Sequence, residues 1–160
     1  MAKSKGIFQQ TPESDGKRYG LFGASGCGKT TKARELIGNC NRLIVFDSIK
    51  REWTTEGKAW LPNFSLVRDP VELFKTMRRR WTKGFQIVFC PKFDEEVKQL
   101  DSVCRMIWIA QSEYGITHKA KITLFIDEAQ ECVPSGIARD FPKHGALLLS
   151  KMGRARGITI

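Results

Sequence analysis

The chain has 160 residues, 41% of them apolar, and a net charge of +10 with a pI near 9.6. That length suits one domain with a real hydrophobic core, and no apolar run approaches the ~20 residues of a membrane span. Five cysteines without C-x-x-C spacing suit free thiols in a reducing cytoplasm better than a disulfide framework, and no signal peptide is legible. The basic excess points to a polyanionic partner. No helix-turn-helix, zinc-finger or RNA-recognition signature accompanies it, so sequence-specific reading is not indicated.

Residues 1–16 are polar and read as a loose leader, with the folded domain expected over 17–160. Arg18-Tyr19-Gly20-Leu21-Phe22 reads as a strand that runs into Gly23-Ala24-Ser25-Gly26-Cys27-Gly28-Lys29-Thr30, followed by Thr31. This is a complete G-x-x-x-x-G-K-[ST] phosphate loop, and a helix over Lys29 to Ile37 gives it the context it needs. Its glycines let backbone N–H groups face phosphate oxygens, and the helix N-terminus adds a favourable dipole. Lys29 can reach the β- and γ-phosphates, and the Thr30 hydroxyl can ligate Mg²⁺. The chain is therefore expected to bind a nucleoside triphosphate.

Arg42 to Asp47 follows as a buried strand ending in an acid, and Ser48 to Pro62 as a long loop or broken helix carrying Trp53 and Trp60. Either tryptophan can stack on a base, pack into the core or lie at an oligomer interface. Phe64 to Val67 is a short strand. Asp69-Pro70 then opens a helix through Arg80, with Asp at the cap and Pro in the first turn. Phe85 to Phe89 is another strand. From Asp94 to Tyr114 apolar residues recur at helical spacing, and Gly115 ends the run.

Lys121 to Ile126 is a buried strand closed by Asp127-Glu128. In phosphate-loop enzymes a carboxylate there holds Mg²⁺, and an adjacent one can deprotonate the attacking water. These roles fall to Asp127 and Glu128, and the second carboxylate favours hydrolysis over phosphoryl transfer to a metabolite. A loop with Pro134, Ser135-Gly136 and Phe141-Pro142 leads to a helix over Lys143 to Met152 and a strand at Gly157 to Ile160. Alternating strands and helices predict an α/β fold with a parallel sheet covered on both faces. Ligands in such folds sit at the carboxyl ends of the strands. The strands intervening between the phosphate loop and Asp127 predict that the acidic strand is not the phosphate-loop strand's direct neighbour. Two clusters carry the excess charge: Arg78-Arg79-Arg80 with Lys83, and Lys143, Lys151, Arg154 and Arg156. Singly each reads as a solvated residue; together they suggest nucleic-acid contact. His118 and His144 read as isolated surface or structural histidines.

Together these motifs resemble the FtsK/HerA-type DNA-pumping ATPases, including the genome-packaging ATPases of membrane-containing viruses and the Zot-like phage proteins. The resemblance rests on Gly23–Thr30; on Asp47-Ser48-Ile49-Lys50-Arg51-Glu52-Trp53, one residue longer than the family's second-strand element; on Leu124 to Gln130; and on Gly153-Arg154-Ala155-Arg156-Gly157-Ile158-Thr159-Ile160. It implies a phosphate-loop NTPase three-layer sandwich of the RecA/FtsK-like, additional-strand type, with ATP and Mg²⁺ as cofactors. It also implies double-stranded DNA bound without sequence preference, a hexameric homo-oligomeric ring, and a location in the cytoplasm or, for a viral protein, the host cytoplasm or virion. In that family an arginine before the last strand acts in trans on a neighbour's nucleotide; Arg154 is the first candidate and Arg156 the second, and either can instead cap the preceding helix. The domain is expected to end within that strand, before the family's polar sensor. A helicase- or recombinase-like motor, or a nucleotide-gated assembly protein without steady turnover, are the competing expectations.

Overall fold

The computed structural model describes residues 20–21, 27–48, 53–55, 58–59, 63–115, 121–133, 135–140, 143–153 and 157–160. Seven strands occur there: β1 (Arg42–Asp47), β2 (Thr54–Thr55), β3 (Lys58–Ala59), β4 (Ser65–Val67), β5 (Phe85–Phe89), β6 (Ile122–Asp127) and β7 (Ile158–Thr159). The helices are α1 (Lys29–Ile37), α2 (Pro70–Arg80), α3 (Glu96–Ala110), α4 (Ala129–Cys132), α5 (Ile137–Asp140) and α6 (Gly145–Met152), and a π-helical turn (Gln111–Gly115) extends α3.

Five strands form one sheet in the order β4-β5-β1-β6-β7, parallel at every pairing. The fold is α/β, as the alternation in the sequence predicts. β1 lies at the centre, and Leu43 to Phe46 expose no surface. A strand buried on both faces needs apolar residues throughout, which is why Leu43-Ile44-Val45-Phe46 reads as a continuous run and not as an alternation. Its even-numbered side chains, Ile44 and Phe46, join the larger core beneath α2, α3 and α6. Leu43 and Val45 join a second core with Ala33 and Ile37 of α1. Both faces are thus covered.

Local chemistry explains the element boundaries. Asp69 caps α2 by accepting from the N–H groups of Val71 and Glu72, and Pro70 occupies the first position. Gly84 turns the chain from α2 into β5 at a φ of 88°, where a Cβ would lie 2.6 Å from the Asn41 carbonyl oxygen. Only glycine meets both demands. The stretch after β1 departs from the predicted loop or broken helix: β2 and β3 pair antiparallel there, Thr54 opposite Ala59. β-branched Thr54-Thr55 favours extended backbone, and a two-residue ladder is too short to leave a period in the sequence.

α3 and α6 are fastened by polar contacts. Nδ1 of buried His144 accepts from the Ala146 N–H, so the protonated Nε2 donates to the Val97 carbonyl. His144 is therefore structural, not a surface residue. The Gly145 N–H donates to Asp101, where Arg105 also donates from Nε. Burial works to raise the Asp101 pKa, but the bonds from Arg105 and the Gly145 N–H outweigh it and hold the carboxyl below its ordinary value. A depressed folded-state pKa contributes stability above the unfolded value of about 3.9, and that contribution is lost as pH falls through the folded value. We expect Asp101→Asn to lower stability at pH 7 and to lose less on acidification from pH 5 to 3 than the parent. Urea midpoints across that range are the check; parallel pH profiles would refute the assignment.

Candidate functional site

α1 leads back to the amino end of β1 through residues 38–41, so its N-terminus lies toward the carboxyl ends of the strands. The helix is capped by Gly28 at a φ of 88°, with no acidic residue in the first turn. Among the described residues a Cβ at Gly28 would meet nothing within 4 Å; the φ of 88° is what calls for glycine there. Lys29 and Thr30 begin the helix and are half-buried; Cys27, Gly28 and Thr31 are exposed. Leu21, just upstream, packs against the α1-side core. Gly23, Ala24, Ser25 and Gly26 lie outside the described residues, as do Arg154 and Arg156, Trp60 and His118.

The acids meet at the carboxyl edge of the sheet. Asp47 of β1 stands in register with Asp127 of β6, and both are buried. By strand alternation both belong to the face of Leu43 and Val45, which α1 covers. Neighbouring strands lie about 4.8 Å apart, so two ionised carboxylates at this spacing repel unless a cation or proton intervenes. That donor set fits Mg²⁺, which takes one or two carboxylates and completes its shell with water and phosphate oxygens. Thr30 supplies a hydroxyl at the start of the helix on that same face.

Asp127 is held from two sides. Ser48 Oγ donates to its carbonyl at 2.9 Å, and Trp53 Nε1 donates to its Oδ2 at 2.9 Å. The Trp53 indole is fully buried, 5.2 Å from the Phe125 ring and 5.2 Å from the Arg34 guanidinium. Of the sequence readings of Trp53 (base stacking, core packing, an oligomer interface), the structure shows core packing, with a polar duty toward Asp127. The sequence marks Asp47 as a strand-ending acid, and the matching ends of two buried strands point to its pairing with Asp127. The ties from Ser48 and Trp53 have no such signal, because they come from an aperiodic stretch.

Glu128 follows with φ 47° and ψ 54°, the left-handed region. A non-glycine residue there costs about 1–3 kcal/mol and persists only where its surroundings impose it, often at functional sites. The turn breaks the strand's alternation at the residue after Asp127, and Gln130 Nε2 donates to Glu128 Oε2. Nearby Cys132 is chemically quiet: burial, reinforced by Glu131, Glu96 and Asp127, pushes its thiol up to about 12. All five cysteines are free.

No protein-family model, curated protein or solved structure matches the chain. Among the described residues no helix is long and apolar enough to cross a membrane.

Trp53→Phe keeps an aromatic ring, though a smaller one, and removes the N–H that Asp127 Oδ2 accepts. Losing a donor to a buried acceptor costs about 1–3 kcal/mol. We expect the urea midpoint to fall accordingly, and the loss to shrink when Asp127→Ala, which removes the acceptor, accompanies it. Additive losses in that double-mutant cycle would show that the bond contributes nothing of its own.

Proposed function

We propose that the chain is a Mg²⁺-dependent ATPase domain of the phosphate-loop class, with the three-layer sandwich of the additional-strand type, that couples hydrolysis to movement or packaging of double-stranded DNA. The single observation that carries the reading is the convergence on one sheet face of α1, which opens at Lys29-Thr30 of the phosphate-loop motif, and the in-register pair Asp47 and Asp127. The topology supports it as well. β7 pairs with β6 at Ile122 and Thr123, on the edge away from β1, which supports the reading in which another strand lies between β6 and the phosphate-loop strand.

In this reading the backbone of Gly23–Thr30 cradles the triphosphate, and Lys29 bears on its β- and γ-phosphates. Thr30 and Asp127 would hold Mg²⁺, with Asp47 beside it; bound magnesium neutralises charge on the phosphates. Glu128 takes a proton from water as its oxygen attacks the γ-phosphorus. The bond to the β–γ bridging oxygen breaks, giving ADP and phosphate. Trp53 positions the Asp127 carboxylate without touching substrate. Arg154, or Arg156, is assigned by resemblance to a neighbour's nucleotide in a hexameric ring, a contact worth ~10³–10⁵ in rate in well-studied cases.

ATP hydrolysis measured with and without duplex DNA tests the whole reading. DNA should raise turnover in the parent, and Lys29→Ala should lose most triphosphate affinity. Glu128→Gln should bind ATP yet turn over ~10²–10⁴-fold more slowly, the usual contribution of a general base. A Glu128→Gln variant as active as the parent would remove Glu128 from the mechanism. ATP binding without turnover under any nucleic acid would replace the motor by a nucleotide-gated assembly protein.

A further inference from the structure

The opposite end of the sheet carries a second polar site. The chain enters β1 through Asn41 and enters β5 from α2 through Arg80, Lys83 and Gly84. These residues, with Asn63, Phe85 and Gln86, line a cleft of about 190 Å³. That is smaller than the ~300–1,000 Å³ of a typical small-molecule pocket, so it admits a charged group and not a whole nucleotide. Its lining is amide, guanidinium and ammonium; no acidic residue lines it among the described residues. Gly84 shapes the floor, because a Cβ there would collide with the Asn41 side chain.

The cations here exceed what helix chemistry requires. Basic residues in a last turn favour the helix dipole, which accounts for Arg78 and Arg79 in α2. Arg80 shares that last turn but also reaches the sheet: its Nη1 donates to Ser65 Oγ of β4 at 3.0 Å, while the residue lines the cleft. Lys83 lies beyond the helix and is exposed. Behind them Arg42 is not available, since its Nε and Nη2 both donate to the Trp81 carbonyl. Arg80 and Lys83 with the amide side chains of Asn41, Asn63 and Gln86 at the cleft, and exposed Arg78 and Arg79 in the same helix end, complement successive phosphates on a polyanion. A membrane surface fits less well, because stable attachment needs an apolar anchor besides basic charge. The exposed large apolar residues, Leu36, Val71, Phe93, Ile109 and Met152, do not line the cleft.

We propose that this amino-end cleft, through Arg80 and Lys83, binds the phosphodiester backbone of double-stranded DNA. It is separate from the triphosphate site at the carboxyl ends. The inference rests on the nucleic-acid half of the proposed function and not on hydrolysis.

The test is fluorescence anisotropy of a labelled 20-base-pair DNA across 50–200 mM salt, without nucleotide. Arg80→Gln/Lys83→Gln should weaken binding and flatten the slope of log K against log salt by about 1.8, from two contacts at ~0.9 each. The charge-matched pair Lys92→Gln/Lys98→Gln, exposed on the far side of β5, should change it little. Thermal melts check folding; if loss of the Arg80–Ser65 bond unfolds the pair, Lys83→Gln alone should flatten the slope by ~0.9. An unchanged slope, an equal effect in the control pair, a parent that binds no DNA, or one that binds anionic phosphatidylserine vesicles and not DNA would overturn the proposal. DNA binding lost in the cleft variants while the parent hydrolyses no ATP would uphold this site and refute the motor alone. DNA-stimulated hydrolysis with binding intact in the cleft variants would do the reverse.

Discussion

The carboxyl-end site depends on the register in which β1 meets β6. Both strands are largely buried, and the usual device for fixing register, one polar face and one apolar face, is missing from Leu43-Ile44-Val45-Phe46. What discriminates between registers is the acid at each end. A slip by one residue would turn Asp47 to the other face, among the apolar side chains around Ile126 and Leu124. Burying a carboxylate in such surroundings is costly. The stacked rings of Phe46 and Phe89, 5.5 Å apart, add a shape constraint from β5. The residues that make the site chemically useful are thus the ones that align the strands, and neither acid can be exchanged for an apolar residue without loosening both.

Trp53 extends that constraint to α1. Its indole lies between Arg34 and Phe125 while its N–H holds Asp127. A cation over an indole contributes about 0.5–2 kcal/mol, and a hydrogen bond to a carboxylate about 1.5–3 kcal/mol. Those interactions share one rigid ring, so a movement of α1 bears on the Asp127 carboxylate without passing through solvent. α1 also carries Lys29 and Thr30 at its start. In the proposed function, phosphate binding at the start of α1 would therefore be linked through Trp53 to the position of the Asp127 carboxylate.

Much of this was legible in the sequence. The limits of α1, β1, α2 and β5 follow from their apolar runs, the Asp69-Pro70 cap and the Gly84 turn, all local signals. β6 and α6 are each displaced by a residue or two, because Asp127 continues its ladder and His144, not an earlier residue, caps α6. The segments after Cys132 and after Asp47 were harder. Their short helices and two-residue strands are held by tertiary contacts and leave no period. The backbone at Glu128 is the clearest example of information that a sequence does not carry. Nothing about a Glu after an Asp announces a left-handed conformation, which arises where β6 leaves the sheet and α4 begins.

The two proposed sites stand at opposite ends of β1, roughly 16 Å apart at 3.3 Å per residue, and one element spans the distance. α1 begins at the phosphate-loop motif and ends at Gly38, where Gln86 Nε2 donates to the Gly38 and Cys40 carbonyls. Gln86 also lines the basic cleft. Asn41, four residues past the helix, forms the cleft's other wall, and its carbonyl accepts from the Phe85 N–H. A change in triphosphate occupancy that shifts α1 along its axis would therefore meet Gln86 and Asn41 before it met solvent. The sheet offers no comparable freedom, since β1 is paired on both edges and packed on both faces. In the proposed motor, where hydrolysis at one end would alter grip at the other, the contacts of α1 and its following turn with Gln86 and Asn41 are the physical connection between the two sites.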